Sequence, residues 1–232
     1  MAGVYPMIFR QCAGKRRYLS YVLGDPVTRE AVIIDPSVGV LASAMSFLAD
    51  RGMSLRYVLL THLPEHELET ILQKLRATGP RIVAHESTEY QGVDLRLRDN
   101  DVVYFGEETV RVLHTPGQMP CAVTYWWGDR LFTGETLLAT GPGVCQQGGN
   151  IAQQWRSIND KLLTFPDEYL VFPGRESRKR RVACIAEFRS TLQRKSIRSG
   201  TPFQKAKLQD PPDPAGSDGN PTHTTSCSLV GA

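Results

Sequence analysis

The chain has 232 residues, 41% of them hydrophobic and 22% charged, with a net charge of +3. These are ordinary values for a globular protein large enough to bury a full core, and they exclude a fibrous or wholly disordered chain. No apolar run approaches the ~18–20 residues of a membrane span. The five cysteines are odd in number and form no Cys-x-x-Cys pair, which predicts reduced thiols in a cytoplasmic compartment and no disulfide framework.

In chain order, Met7, Ile8 and Phe9 read as the start of a first strand. The six residues before them carry no signal-peptide core, and neither a signal peptide nor a mitochondrial leader is expected. Apolar runs at 18–23 and 31–34 are separated by Gly24-Asp25-Pro26-Val27-Thr28, a cluster of breakers, so the pair predicts a hairpin closed by Asp35-Pro36. In 40–52, Leu41, Met45, Leu48 and Ala49 recur at helical spacing, and Gly52 supplies the stop. Residues 57–60 form a short buried strand. Leu68, Ile71, Leu72 and Leu75 then share one face of a helix over 67–76, and a strand follows at 81–84.

Four further strands are predicted at 102–105, 110–113, 123–127 and 131–132. They are separated by Gly106, by Thr115-Pro116-Gly117 and by the hairpin turn Gly128-Asp129. A helix over 151–163, a strand over 169–172 and a closing helix over 182–195 complete a mixed α/β order. From residue 209 the composition is Pro, Gly, Ser, Asp and Thr, too polar to offset the entropy of ordering, so the division is a domain over 1–208 and a disordered tail over 209–232.

Charge is unevenly spread along this order. Residues 175–207 hold eleven Lys and Arg against Glu176 and Glu187, a net +9, so with +3 in total the remainder carries −6. A basic segment of this kind can meet an anionic surface. It has no aromatic interleaving and no nucleic-acid fold motif, so it reads as a solvated helix face with no nucleic-acid partner.

The chemistry gathers where the strand at 57–60 runs into Thr61-His62-Leu63-Pro64-Glu65-His66-Glu67. Imidazoles and carboxylates at the end of a core strand are the makings of a metal or proton-transfer site. The segment resembles the Thr-His-x-His-x-Asp-His signature of the metallo-β-lactamase superfamily. Pro64, His66 and Glu67 stand where its second His, its Asp and its third His belong. Residues 21–36 resemble the opening of persulfide dioxygenases, the glyoxalase-II-like branch of that superfamily. Over about residues 7–190 the resemblance implies an αββα four-layer sandwich, two mixed sheets face to face with helices outside, and a site at one edge.

In that branch the resemblance implies one Fe(2+), held by the signature's first His, by a His after Thr-Pro-Gly and by an Asp after Thr-Gly. Here the three positions are His62, Gln118 in Thr115-Pro116-Gly117-Gln118, and Glu135 in Phe132-Thr133-Gly134-Glu135. A late His falls at Arg175, whose guanidinium cannot ligate and opposes a second cation. Two readings stay open. In one, His66 replaces the lost imidazole, since His62 and His66 share a helical face if Pro64 begins a helix, and His62, His66 and Glu135 restore two imidazoles and a carboxylate. In the other, Arg175 pairs with Glu67 or Glu135 and no metal is held.

On the substrate side, the family's Gly-Arg-Thr-Asp-Phe-Gln-Gln-Gly corresponds to Gly141-Pro142-Gly143-Val144-Cys145-Gln146-Gln147-Gly148, without the Arg. Arg175, Gln146 and Gln147 are the expected contacts for a glutathione-type thiol or persulfide. Cys145 reads as structural because no His or Lys flanks it, and His85 and His114 fit no ligand slot. The implied ancestral reaction is oxidation of glutathione persulfide by O2 to sulfite. Its loss would leave a non-catalytic binding scaffold, and a zinc thioester hydrolase of glyoxalase II type is a third expectation. A homodimer is compatible with the sequence.

Overall fold

The computed structural model describes residues 7–63, 68–75 and 79–191. The early apolar runs form an antiparallel meander of β1 (Ile8–Ala13), β2 (Leu19–Gly24) and β3 (Glu30–Ile34). A helix, α1 (Val38–Ala49), carries the chain to β4 (Ser54–Leu59), which lies parallel to β3. Beyond it, α2 (Leu68–Leu75) precedes β5 (Arg81–His85), and β6 (Leu95–Leu97) completes a mixed six-stranded sheet in the order β1-β2-β3-β4-β5-β6.

The second sheet is built from β7 (Val102–Phe105), β8 (Glu108–His114), β9 (Val123–Trp127), β10 (Arg130–Gly134), β13 (Leu170–Pro173) and β14 (Ala183–Cys184). Its order is β14-β13-β10-β9-β8-β7, and only the β10–β13 pair is parallel. Between β10 and β13 the chain forms a small ribbon, β11 (Leu137–Leu138) with β12 (Gly141–Pro142), and the helix α3 (Ile151–Asp160).

The period of two along each strand sorts the core into layers. In β2, Leu19, Tyr21 and Leu23 point into the space between the sheets, where they meet Val110, Tyr125, Trp127, Phe132 and Phe172. Val22 points the other way, with Ile33 and Val58, against Leu41, Ala44 and Leu48 of α1 and Ile71 of α2. On the far side, Trp126, Leu131 and Val171 face Ile158 of α3 and Phe188. Two sheets with both faces covered explain why the strands read as continuous apolar runs. This is the αββα sandwich expected from the resemblance.

Two boundaries differ from the sequence reading. The helix expected over 151–163 ends at Asp160 and passes into a 3₁₀ turn over Leu162–Thr164. The closing helix begins at 185, because Ala183 and Cys184 pair with Val171 and Leu170 as an edge strand. The expected end of that helix at 195 and the tail over 209–232 lie outside the described residues. No helix among the described residues is long and apolar enough to cross a membrane. Cys12, Cys121, Cys145 and Cys184 are free thiols.

Candidate functional site

The site lies where β3, β4, β8, β10 and β13 all end. Asp35 follows β3 in a left-handed conformation, φ 45°, which turns its carboxylate back toward the end of β4. There it accepts from Thr61 twice, from the backbone N–H at 2.8 Å and from the hydroxyl at 2.5 Å. Burial pushes the Asp35 carboxyl up from the usual carboxylate range. His62 and the Thr61 hydrogen bonds act against that rise, and Glu135 adds to it. Thr61 Oγ1 lies 2.8 Å from His62 Nδ1. Since its own proton goes to Asp35, the hydroxyl accepts from Nδ1–H.

Close approach of the strand ends fixes the backbone here. A Cβ on Gly134, whose φ is +53°, would fall 2.2 Å from Thr61 Oγ1. Gly174 donates its N–H to Gly134 O at 2.6 Å. Next to these glycines stand Glu135 and Arg175. Arg175 Nη2 lies 2.7 Å from Glu135 Oε1, with side-chain exposures of 40% and 10%. The pair has ion-pair distance without the alignment of a hydrogen bond, for Oε1 has no donor, while Nη2 donates to Tyr18 Oη at 3.0 Å. The Arg175 guanidinium also covers the Tyr18 ring, 4.7 Å from its centroid.

Gln118 is reached through the loop after β8. Its side chain is fully buried, yet neither amide atom has a partner. Its carbonyl accepts from Gln146 N at 3.0 Å, which seats the 143–149 loop over it. Gln146 Oε1 is likewise buried without a partner, while Gln147 is exposed. Gln154 of α3 ties the loop down. Its amide donates to Thr136 O at 2.9 Å and Gly143 O at 3.0 Å, and its Oε1 accepts from the Cys145 thiol at 3.1 Å. Cys145 is thus a donor held inside the loop, in keeping with its structural reading.

Six buried side-chain atoms make no hydrogen bond among the described residues: Ser37 Oγ, both amide atoms of Gln118, Glu135 Oε1, Gln146 Oε1 and Arg175 Nε. All but the first belong to this edge. His66 lies outside the described residues, as do Pro64, Glu65 and Glu67. His85 and His114 stack on one another with centroids 3.8 Å apart, one at the end of each sheet's strand, and serve as an inter-sheet contact.

The described side chains do not make up a metal site, and the expected set of His62, His66 and Glu135 includes a residue outside them. Iron or zinc calls for three convergent imidazole, thiolate or carboxylate donors. No group of three His, Cys, Asp or Glu that could hold an ion occurs among the described residues. The carboxylate that remains, Glu135, already faces a guanidinium. Among the described residues the edge thus carries buried amide groups, an ion pair and an imidazole.

Sequence reasoning missed three members of this arrangement. Asp35 appeared only as a hairpin terminus, although an Asp directly after the apolar run 31–34 was a signal for a carboxylate at a strand end. Gln154 and Tyr18 carried no sequence signal, since their roles arise from tertiary contacts.

No family model matches the chain. Among solved structures it is similar to ETHE1 from Myxococcus xanthus, with 33% identity and a TM-score of 0.74 over 78% of this chain and 81% of that one. It also superposes on the B3 metallo-β-lactamase BLEG-1, with 22% identity and a TM-score of 0.67 over 79% of this chain and 97% of that one, a likeness of fold alone. The mitochondrial persulfide dioxygenase ETHE1 of Homo sapiens is 32% identical over 127 residues, 53% of this chain and 50% of that protein. The chain spans about half the length of the curated relatives it matches.

Proposed function

The chain belongs to the persulfide dioxygenase branch of the metallo-β-lactamase-fold superfamily, and on that premise we propose that it is a divergent member whose ancestral iron chemistry is lost. In this reading the pocket serves as a binding scaffold for a small thiol-type ligand. Oxidation of glutathione persulfide to sulfite belongs to the ancestral protein.

The observation that supports it is the Arg175–Glu135 contact at 2.7 Å. A guanidinium is permanently charged and cannot donate electrons to a metal, so its place beside the remaining carboxylate neutralises the charge a cation would need. Gln118 adds to the argument. Its amide oxygen is neutral, a weaker donor than the imidazole the branch places there. His62 is held by Thr61 and Gln146 keeps a buried oxygen without a hydrogen bond, so this edge retains hydrogen-bonding groups.

The test is metal analysis of the full chain purified with iron and zinc in the medium, joined to oxygen uptake on glutathione persulfide. The expected result is no stoichiometric metal after dialysis and no uptake above the uncatalysed rate. A tightly held ion together with turnover rejects the reading.

A further inference from the structure

Two turns beside the pocket carry cations at positions where the backbone favours other residues. In the turn over 15–18, closed by Tyr18 N–H to Lys15 O at 3.3 Å, Arg16 and Arg17 have φ of 56° and 66°. In the turn over 177–180, Ser177 and Arg180 exchange backbone hydrogen bonds at 3.0 and 2.8 Å, and Arg178 and Lys179 have φ of 48° and 65°. Positive φ at both central positions is the type I′ pattern, which favours Asn-Gly or Asp-Gly because a Cβ is crowded there. Of the seven non-glycine residues with positive φ among the described residues, four are these arginines and lysine. Ordinary solvated turns have no need of that choice.

The two turns touch. Glu176 N donates to Arg17 O at 2.8 Å, and Tyr18 forms a β-bridge with Arg175. Arg180 and Arg181 are paired with Glu187 and Glu176. Lys15, Arg16, Arg17, Arg178 and Lys179 are exposed and have no ion-pair partner among the described residues. Arg175 joins this cluster to the pocket, reaching from Tyr18 to Glu135 with a buried, unpartnered Nε–H.

We propose that the paired turns form a clamp for the phosphates of a nucleotide-linked thiol or thioester, whose arm runs past Arg175. The inference rests on the reading of the pocket as a thiol-binding scaffold and names its ligand class. Five uncompensated cations in two contacting turns match a compact group of phosphates. A tripeptide thiol offers carboxylates partly offset by its own ammonium and leaves most of these cations unmatched. A long nucleic acid calls for a basic groove with stacking aromatics. The one ring here, Tyr18, is already covered by Arg175.

Titration calorimetry on the full chain tests this with coenzyme A, inorganic pyrophosphate, glutathione and a short single-stranded DNA as probes. Coenzyme A is expected to bind, to weaken as salt rises, to be displaced by pyrophosphate and to exceed both glutathione and DNA. Replacing Arg178→Asn with Lys179→Gly gives the turn its favoured residues, so the fold is kept and thermal stability holds or rises. The same variant is expected to weaken coenzyme A about tenfold. Coenzyme A binding no tighter than glutathione, DNA binding more tightly than either, or an unchanged affinity in the variant overturns the clamp. Glutathione bound tightly without metal would overturn the clamp alone and leave the scaffold reading standing, whereas bound iron with turnover rejects the scaffold reading itself.

Discussion

Between the sheets even the polar atoms are paired. Tyr21 donates its hydroxyl to Pro173 O at 2.5 Å and Tyr125 donates to Leu60 O at 2.9 Å, both within a cluster of buried aromatic and branched side chains. At the strand ends, Gln118, Glu135, Gln146 and Arg175 each keep a buried atom without a hydrogen bond. Both regions are made by the same strands, so the difference does not come from the scaffold. Packing between the sheets sets the fold, and the strand ends carry the polar groups that this packing leaves over.

The comparison is easiest to break in the interior. Phe132 is fully buried, with its ring 5.0 Å from Tyr21 and 5.6 Å from Phe172. Phe132→Ala is expected to lower the unfolding free energy by about 3–5 kcal/mol through lost burial and a cavity, read from denaturant melts. At the edge the effect is smaller. Arg175→Met removes the partner of Glu135, but Arg175 is 40% exposed and water screens the pair. A cost of about 1–2 kcal/mol follows. A loss as large as that of Phe132→Ala would mean that the ion pair, and not the interior, holds the sandwich together.

The smallest effect concerns the two histidines that join the sheets at this edge. Burial, followed by the neighbouring His114, pushes the His85 pKa below the ordinary imidazole value. As pH falls below about 6.5 the unfolded chain takes up the proton before the folded one does. Stability from this site is therefore full above that pH and declines below it. His85→Phe keeps a ring for stacking and removes the titration, so its stability should change less between about pH 5 and 7. An unchanged slope would place the pH dependence in other groups.

Much of the fold was legible because the central strands are apolar on both faces and most breaks carry Gly or Pro. The run 31–34, followed by Asp35-Pro36, is one such case. The edge strand at Ala183–Cys184 was not legible, since two residues carry no period, and a helix pattern over 182–195 absorbed them. At the site, the replacements Gln118, Glu135 and Arg175 could be read position by position, and Arg175 had two carboxylates open to it. The structure places it on Glu135. Gln146 and Gln147 were indistinguishable in sequence, and only the fold turns one inward and the other to solvent. The acceptor chain from Asp35 through Thr61 to His62 spans β3 and β4, and no local pattern announces it.

The central claim is that the coordination sphere was replaced while its scaffold was kept. It is tested most directly by measuring bound metal per chain, after dialysis against iron or zinc, in the native protein and in a variant carrying Gln118→His, Glu135→Asp and Arg175→His. The account predicts well under about a tenth of an equivalent in the native chain and about one equivalent in the variant, because the variant restores imidazole and carboxylate donors around His62. About one equivalent retained by the native chain would contradict it.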